Sequence, residues 1–132
     1  MTANPKMYLC DTNVIVRYLL EESTDQGRIA IELLDQTISG QIKVIIMEAV
    51  FVETIFVLSK VYKVPRLELS QTMTNFLQYR GIINEAKNIW LTALNLYANS
   101  NLHIVDCLLA TKAKQSVIQL VTFDTQLAKI IF

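Results

Sequence analysis

The stretch "MYLCDTNVIVRYLL", Met7 to Leu20, sets one aspartate between two apolar runs. The first run is short and bounded by Pro5 and Asp11, which predicts a buried strand over Met7–Cys10. The second, "NVIVRYLLEE", spaces Val14 and Tyr18 by one helical turn, with Val16 and Leu20 on the flank, and predicts a helix. Asp11 therefore stands where a strand hands over to a helix. In sheets of parallel strands joined by helices, ligands bind outside the carboxyl ends of the strands. A charge at that edge is in a position to do chemistry.

Moving outward, "STDQGRIAIELLDQTIS" carries Ile29, Leu33 and Leu34 on one helical face. Ser23 or Thr24 is its predicted N-cap, and Ser39-Gly40 its end. "KVII" (Lys43–Ile46) is the second predicted strand. "EAVFVETIFVLSKVY" (Glu48–Tyr62) is too long and too evenly apolar for a strand and predicts a core helix, broken at Val64-Pro65. "RLELSQTMTNFLQYR" (Arg66–Arg80) puts Leu69, Met73, Phe76 and Leu77 on one face of a further helix. Ile82–Ile83, after Gly81, is a short strand candidate. "EAKNIWLTALNLYANS" stripes Ala86, Ile89, Trp90, Ala93, Leu94 and Tyr97 along an amphipathic helix. "NLHIVDCLLATKAKQS" (Asn101–Ser116) is a helix capped near Asn101 or His103. "QLVTF" (Gln119–Phe123) predicts a strand followed by Asp124, and "TQLAKIIF" a short terminal helix or tail. Alternating apolar strands and amphipathic helices predict an α/β fold, a small parallel sheet with helices on both faces.

The chain has 132 residues with no linker-like tract, and it is read as one domain with residues 1–6 as a flexible tail. Hydrophobic residues make up 52% and charged residues 18%, which argues for a large core and an apolar partner surface. Twelve basic residues against twelve acidic ones give zero net charge, so a polyanion would need a local patch or a metal ion to hold it. Cys10 and Cys107 have neither metal-ligand nor disulfide spacing, which suits a reducing, cytoplasmic setting. The polar opening "MTANPK" predicts no signal peptide. The longest apolar run, Val44–Leu58, is shorter than the ~20 residues of a membrane span and carries Glu48 and Glu53. No membrane partner is expected.

Four acids stand apart. Asp11 and Asp124 each end an apolar strand candidate, placing both at the carboxyl edge of the sheet. Glu53 has Ala49, Val50, Phe56 and Val57 as its helical neighbours, and Asp106 has Leu102, His103, Leu109 and Ala110. On that pattern both carboxylates are expected to face the core. A buried carboxylate must be paired, protonated or bound to a cation. If the four converged they would repel one another unless a divalent metal neutralised them. An all-oxygen set without a cysteine or histidine cluster suits Mg2+ or Mn2+ rather than zinc. Such an ion activates water and stabilises displacement at phosphorus, so phosphodiester hydrolysis is the expected reaction. The competing explanation is structural, with each acid an N-cap or the partner of a buried base.

"LCDTNVIVRYLL", "VETIFVLSKVYKV", "HIVDCLLATKAK" and "LVTFDTQLAK" together resemble the successive motifs of PIN-domain ribonucleases, and within them VapC-type toxins of toxin–antitoxin pairs. The resemblance spans nearly the whole chain. It implies an α/β/α sandwich around a parallel sheet, and Mg2+- or Mn2+-dependent cleavage of RNA. Carried over by motif, it implies that Asp11, Glu53, Asp106 and Asp124 form the catalytic, metal-holding quartet. Thr12 and Asn13 would support Asp11, although helix capping explains them equally well. Cys107 stands where alanine is more usual, and His103 where small polar or acidic residues are common. The implied partners are an RNA substrate, a cognate protein antitoxin and a second copy in a homodimer.

Other classes fit the residues less well. A receiver-type signalling domain with a phospho-accepting aspartate needs a pair of acids after the first strand and a late lysine, and this chain offers Asp11 alone and "TFD". A haloacid dehalogenase-type phosphatase needs an aspartate where Asn13 stands. A non-toxic PIN nuclease that processes RNA keeps every site residue and differs only in its biological use. His103 is expected to be a cap or surface residue, Cys10 and Cys107 small core fillers, and Glu48 a helix-start acid. The basic residues Arg17, Lys60, Lys63, Arg66, Lys112 and Lys114 are candidates for gripping an RNA backbone, against the commoner role of a solvated face. The Trp90 and Tyr97 face is expected in the core or at a subunit interface.

Overall fold

The computed structural model describes residues 6–131. Residues 1–5, most of the expected tail, lie outside the described residues, and Lys6 already belongs to the first strand. Packing divides the chain into two compact units, Met1–Glu85 and Ala86–Phe132.

The first unit begins with strand β1 (Lys6–Leu9), helix α1 (Thr12–Leu19) and helix α2 (Asp25–Leu34). Thr24 caps α2 by accepting the Gly27 N–H at 3.0 Å. A 3-10 turn (Asp35–Thr37) follows in place of the single longer helix expected to Ser39, and Gly40 takes the left-handed turn at φ 82. Strand β2 (Ile42–Ile45) then lies parallel to β1, with Lys6 opposite Ile42 and Leu9 opposite Ile45. The helical connection between the two strands is what parallel pairing requires.

The far edge of β2 is also used. Val44 N–H donates to the Gly81 carbonyl at 2.7 Å, and Ile83 N–H donates to the Val44 carbonyl at 3.0 Å. The expected strand at Ile82–Ile83 is thus a single parallel bridge, Val44 to Ile82. The Asn84 side chain extends the ladder by one step: its amide group bonds both the N–H and the carbonyl of Ile46.

Helix α3 (Glu48–Lys60) buries Phe51, Thr54, Ile55 and Leu58, at a spacing of three and four. Helix α4 (Arg66–Leu77) begins after Pro65 and buries Leu69, Met73, Phe76 and Leu77, as the sequence predicts. Tyr18, Phe76 and Tyr79 form a ring cluster with centroids 5.5–6.4 Å apart. Within it the Tyr18 hydroxyl donates to Asp35 at 2.8 Å and lies 3.2 Å from the Tyr79 hydroxyl. Burial first, then these two bonds, push the Tyr18 hydroxyl far above its ordinary titration range.

The second unit holds helices α5 (Lys87–Ala98), α6 (Ile104–Ser116) and α7 (Thr125–Ile131), with α6 packed on both α5 and α7. Of the predicted stripe, helix α5 buries Trp90, Ala93, Leu94 and Tyr97, while Ile89 is half-buried and Ala86 is the N-cap. His103 occupies the N-cap position of α6 without a side-chain capping bond.

The expected strand at Gln119–Phe123 is absent. Those residues adopt no regular structure, and Val121 (89%) and Phe123 (102%) are exposed. An alternating apolar pattern permits a strand, but a strand exists only where a neighbour pairs with its backbone. Among the described residues no helix is long and apolar enough to cross a membrane.

Candidate active site

Asp11 sits where the sequence predicts, between β1 and α1. Its backbone is extended (φ −85, ψ 171), and it is the N-cap of α1. Its carboxylate accepts the Val14 N–H at 3.1 Å, satisfying one of the amide groups a helix start leaves unpaired. That bond fixes one oxygen and leaves the other open to solvent, because Asp11 is exposed. The residue that orients Asp11 is therefore Val14, through its backbone. The side chains of Thr12 and Asn13 make no hydrogen bond to it among the described residues. Thr12 is buried and Asn13 exposed.

Asp124 repeats the same device in the second unit. Its carboxylate accepts the Leu127 N–H at 2.9 Å at the start of α7, and its own N–H donates to the Thr122 hydroxyl at 3.0 Å. Asp124 is exposed and follows an unpaired segment, so the expectation that it ends a strand is corrected.

Glu53 brings a second correction. The sequence places it against the core, whereas it is exposed on α3. Its predicted neighbours are indeed beside it, but Ala49 is exposed, Phe56 is 58% exposed, and Val50 and Val57 are half-buried. Helix α3 is apolar on both faces, so apolar neighbours alone do not say which face is inside. Asp106, expected to face the core, is half-buried in the first turn of α6. Its neighbours Leu102 and Ala110 are buried, while His103 and Leu109 are exposed.

Asp11 and Glu53 thus belong to the first unit, and Asp106 and Asp124 to the second. Within neither unit do three or more His, Cys, Asp or Glu side chains gather at metal-binding spacing, among the described residues. The donors suit a hard divalent cation all the same: every one is a carboxylate, none of the four forms an ion pair among the described residues, and two are held by backbone N–H groups that leave an oxygen free.

The two cysteines beside Asp11 and Asp106 behave as core fillers, with Cys10 8% and Cys107 0% exposed. Burial, and then the adjacent Asp11 charge, push the Cys10 thiol up. Arg17, a candidate RNA-gripping residue, is instead ion-paired to Glu22 at 2.6 Å. The five-residue separation is no helical spacing. It closes because Glu21 turns the chain at φ 53. Sequence reasoning also missed a cleft of about 340 Å³ between α1 and α2, which Asp11 lines.

No curated protein and no solved structure matches the chain. The PIN domain model matches residues 8–132, a span containing all four carboxylates. The small parallel sheet and the seven helices among the described residues fit the α/β/α architecture that the sequence resemblance implies. With that match over nearly its whole length, the chain belongs to the PIN domain family, whose members are generally nucleases.

Proposed function

We propose that this chain is a Mg2+- or Mn2+-dependent endoribonuclease that hydrolyses RNA phosphodiester bonds, and that it is the VapC-type toxin of a toxin–antitoxin pair. The observation that carries the reading is the family match across residues 8–132; the sequence resemblance supports Asp11, Glu53, Asp106 and Asp124 as the acids of that family's motifs. Asp11, Asp106 and Asp124 would hold the ion, and Glu53 would bind it directly or through water. A bound divalent ion would supply a nucleophilic water and offset charge developing at phosphorus. In a chain of zero net charge it would also supply the positive charge that draws in a polyanion.

The protein's own part is positioning. The Val14 N–H holds the Asp11 carboxylate, and the Leu127 N–H holds that of Asp124, so neither has to be ordered when substrate arrives. Glu53 is exposed and free to orient the attacking water. The implied partners are an antitoxin that covers these acids in the cytoplasm and a second copy of the chain.

Purified protein mixed with end-labelled RNA tests the reading. Cleavage should require Mg2+ or Mn2+, stop with a chelator, and vanish in Asp11→Ala. Cleavage by the chelated protein or by that variant would overturn the mechanism. Induced expression without an antitoxin should arrest growth for wild type only. RNA cleavage without growth arrest would remove the toxin role and leave the nuclease.

A further inference from the structure

The cleft between α1 and α2 has more in it than a carboxylate site needs. Asp11 lines it, so the cleft adjoins the carboxylate proposed to hold the ion. Its walls are aliphatic: Val14 comes from α1, and Ile29 and Leu33 from α2. Two primary amides, those of Asn13 and Gln26, also line it, and neither has a hydrogen-bond partner among the described residues. Arg17, the one cation there among the described residues, is already paired with Glu22 at 2.6 Å.

These features select a ligand chemistry. With Arg17 paired to Glu22, the lining side chains offer no free cation to a phosphate. Aliphatic walls favour a flat, uncharged face. A primary amide offers a donor and an acceptor side by side, which is what the edge of a nucleobase requires. Unstacked bases of single-stranded nucleic acids are read by hydrogen bonds to their edges, with aromatic or apolar side chains against the ring. We propose that this cleft seats the base next to the scissile phosphate, and that Gln26 reads its edge with help from Asn13. The proposal rests on the endoribonuclease reading and adds a specificity pocket to it. Gln26 is a positioning and specificity residue, separate from the four acids.

The test is Mg2+-dependent cleavage of a randomised single-stranded RNA pool by the full chain, with cut sites mapped by sequencing. Wild type should prefer one base at one position flanking the cut, by roughly 5- to 150-fold over the poorest base. Gln26→Ala should flatten that preference, lowering cleavage at the favoured base most. Gln26→Glu, which keeps an acceptor but removes the donor, should shift the preference to another base. The exposed Gln26 side chain has no hydrogen-bond partner among the described residues, so both variants should melt with wild type. Cleavage without flanking preference, or an unchanged preference in both variants, overturns the pocket and leaves the nuclease standing. Failure of wild type to cut RNA removes the nuclease reading and the pocket together.

Discussion

Asp11 has two roles that can be separated chemically. As the N-cap of α1 it accepts the Val14 N–H at 3.1 Å, and as a carboxylate it is proposed to hold a divalent ion. Alanine removes both roles, whereas asparagine keeps the acceptor and removes the charge. Helix α1 has only eight residues, so its capping bond is a large share of what orders its first turn. Loss of an N-cap acceptor costs about 1 kcal/mol, within a range of roughly 0.5–2. Loss of the charge at an exposed helix start costs about 0.3 kcal/mol, the low end for dipole interactions at the surface. Asp11→Ala should therefore lose about 1.3 kcal/mol and Asp11→Asn about 0.3. In a chain of this size that lowers Tm by about 5 °C and about 1 °C respectively. Both variants should lose RNA cleavage completely, since neither keeps the Asp11 carboxylate. Urea unfolding and a labelled-RNA assay on the same preparations read the two roles independently. Equal destabilisation of the two variants would refute the capping argument. Wild-type cleavage by Asp11→Asn would refute the carboxylate argument.

Other outcomes follow from single positions. A methyl group at Gly81 would fall on the carbonyl oxygen of Ile42 and the backbone of Thr37. Gly81 N–H also donates to the Thr37 carbonyl at 2.6 Å, so Gly81→Ala should lose more than about 2 kcal/mol in urea unfolding. Val117 ends α6 at φ 54 and is 91% exposed, so Val117→Gly relieves strain without losing packing. That variant should gain about 0.5–1 kcal/mol, and a loss of stability would show that Val117 has an apolar partner in solution. The Cys10 thiol is raised by burial, so native protein should label slowly with maleimide and rapidly in urea. Because the folded-state value is the higher one, the contribution of Cys10 is full below the unfolded thiol value near about pH 8.5, and is lost as pH rises through the folded value. Cys10→Ala should show a smaller alkaline loss of stability than wild type, measured as urea midpoints across that range.

Much of this protein can be read along the chain because the causes are local. The junction at Asp11, the cap at Thr24, the break at Val64-Pro65 and the stripe from Trp90 to Tyr97 each follow from backbone preference or periodicity within a few residues. The four candidate acids stand out the same way, as charges among apolar neighbours in the sequence. What the sequence could not decide was anything that needs a partner. Helix α3 is apolar on both faces, so only packing chose Phe51, Ile55 and Leu58 as the inner set and left Glu53 in solvent. The pattern at Gln119–Phe123 allows a strand, yet the segment is irregular, while the shorter Ile82–Ile83 is drawn into a bridge with Val44. The pairing of Arg17 with Glu22, and the cleft that Asp11 shares with α2, depend on how one turn folds back. Propensity and capping act over a few residues and are written in the sequence. Burial and pairing are properties of two surfaces meeting, and those appear only when the chain has folded.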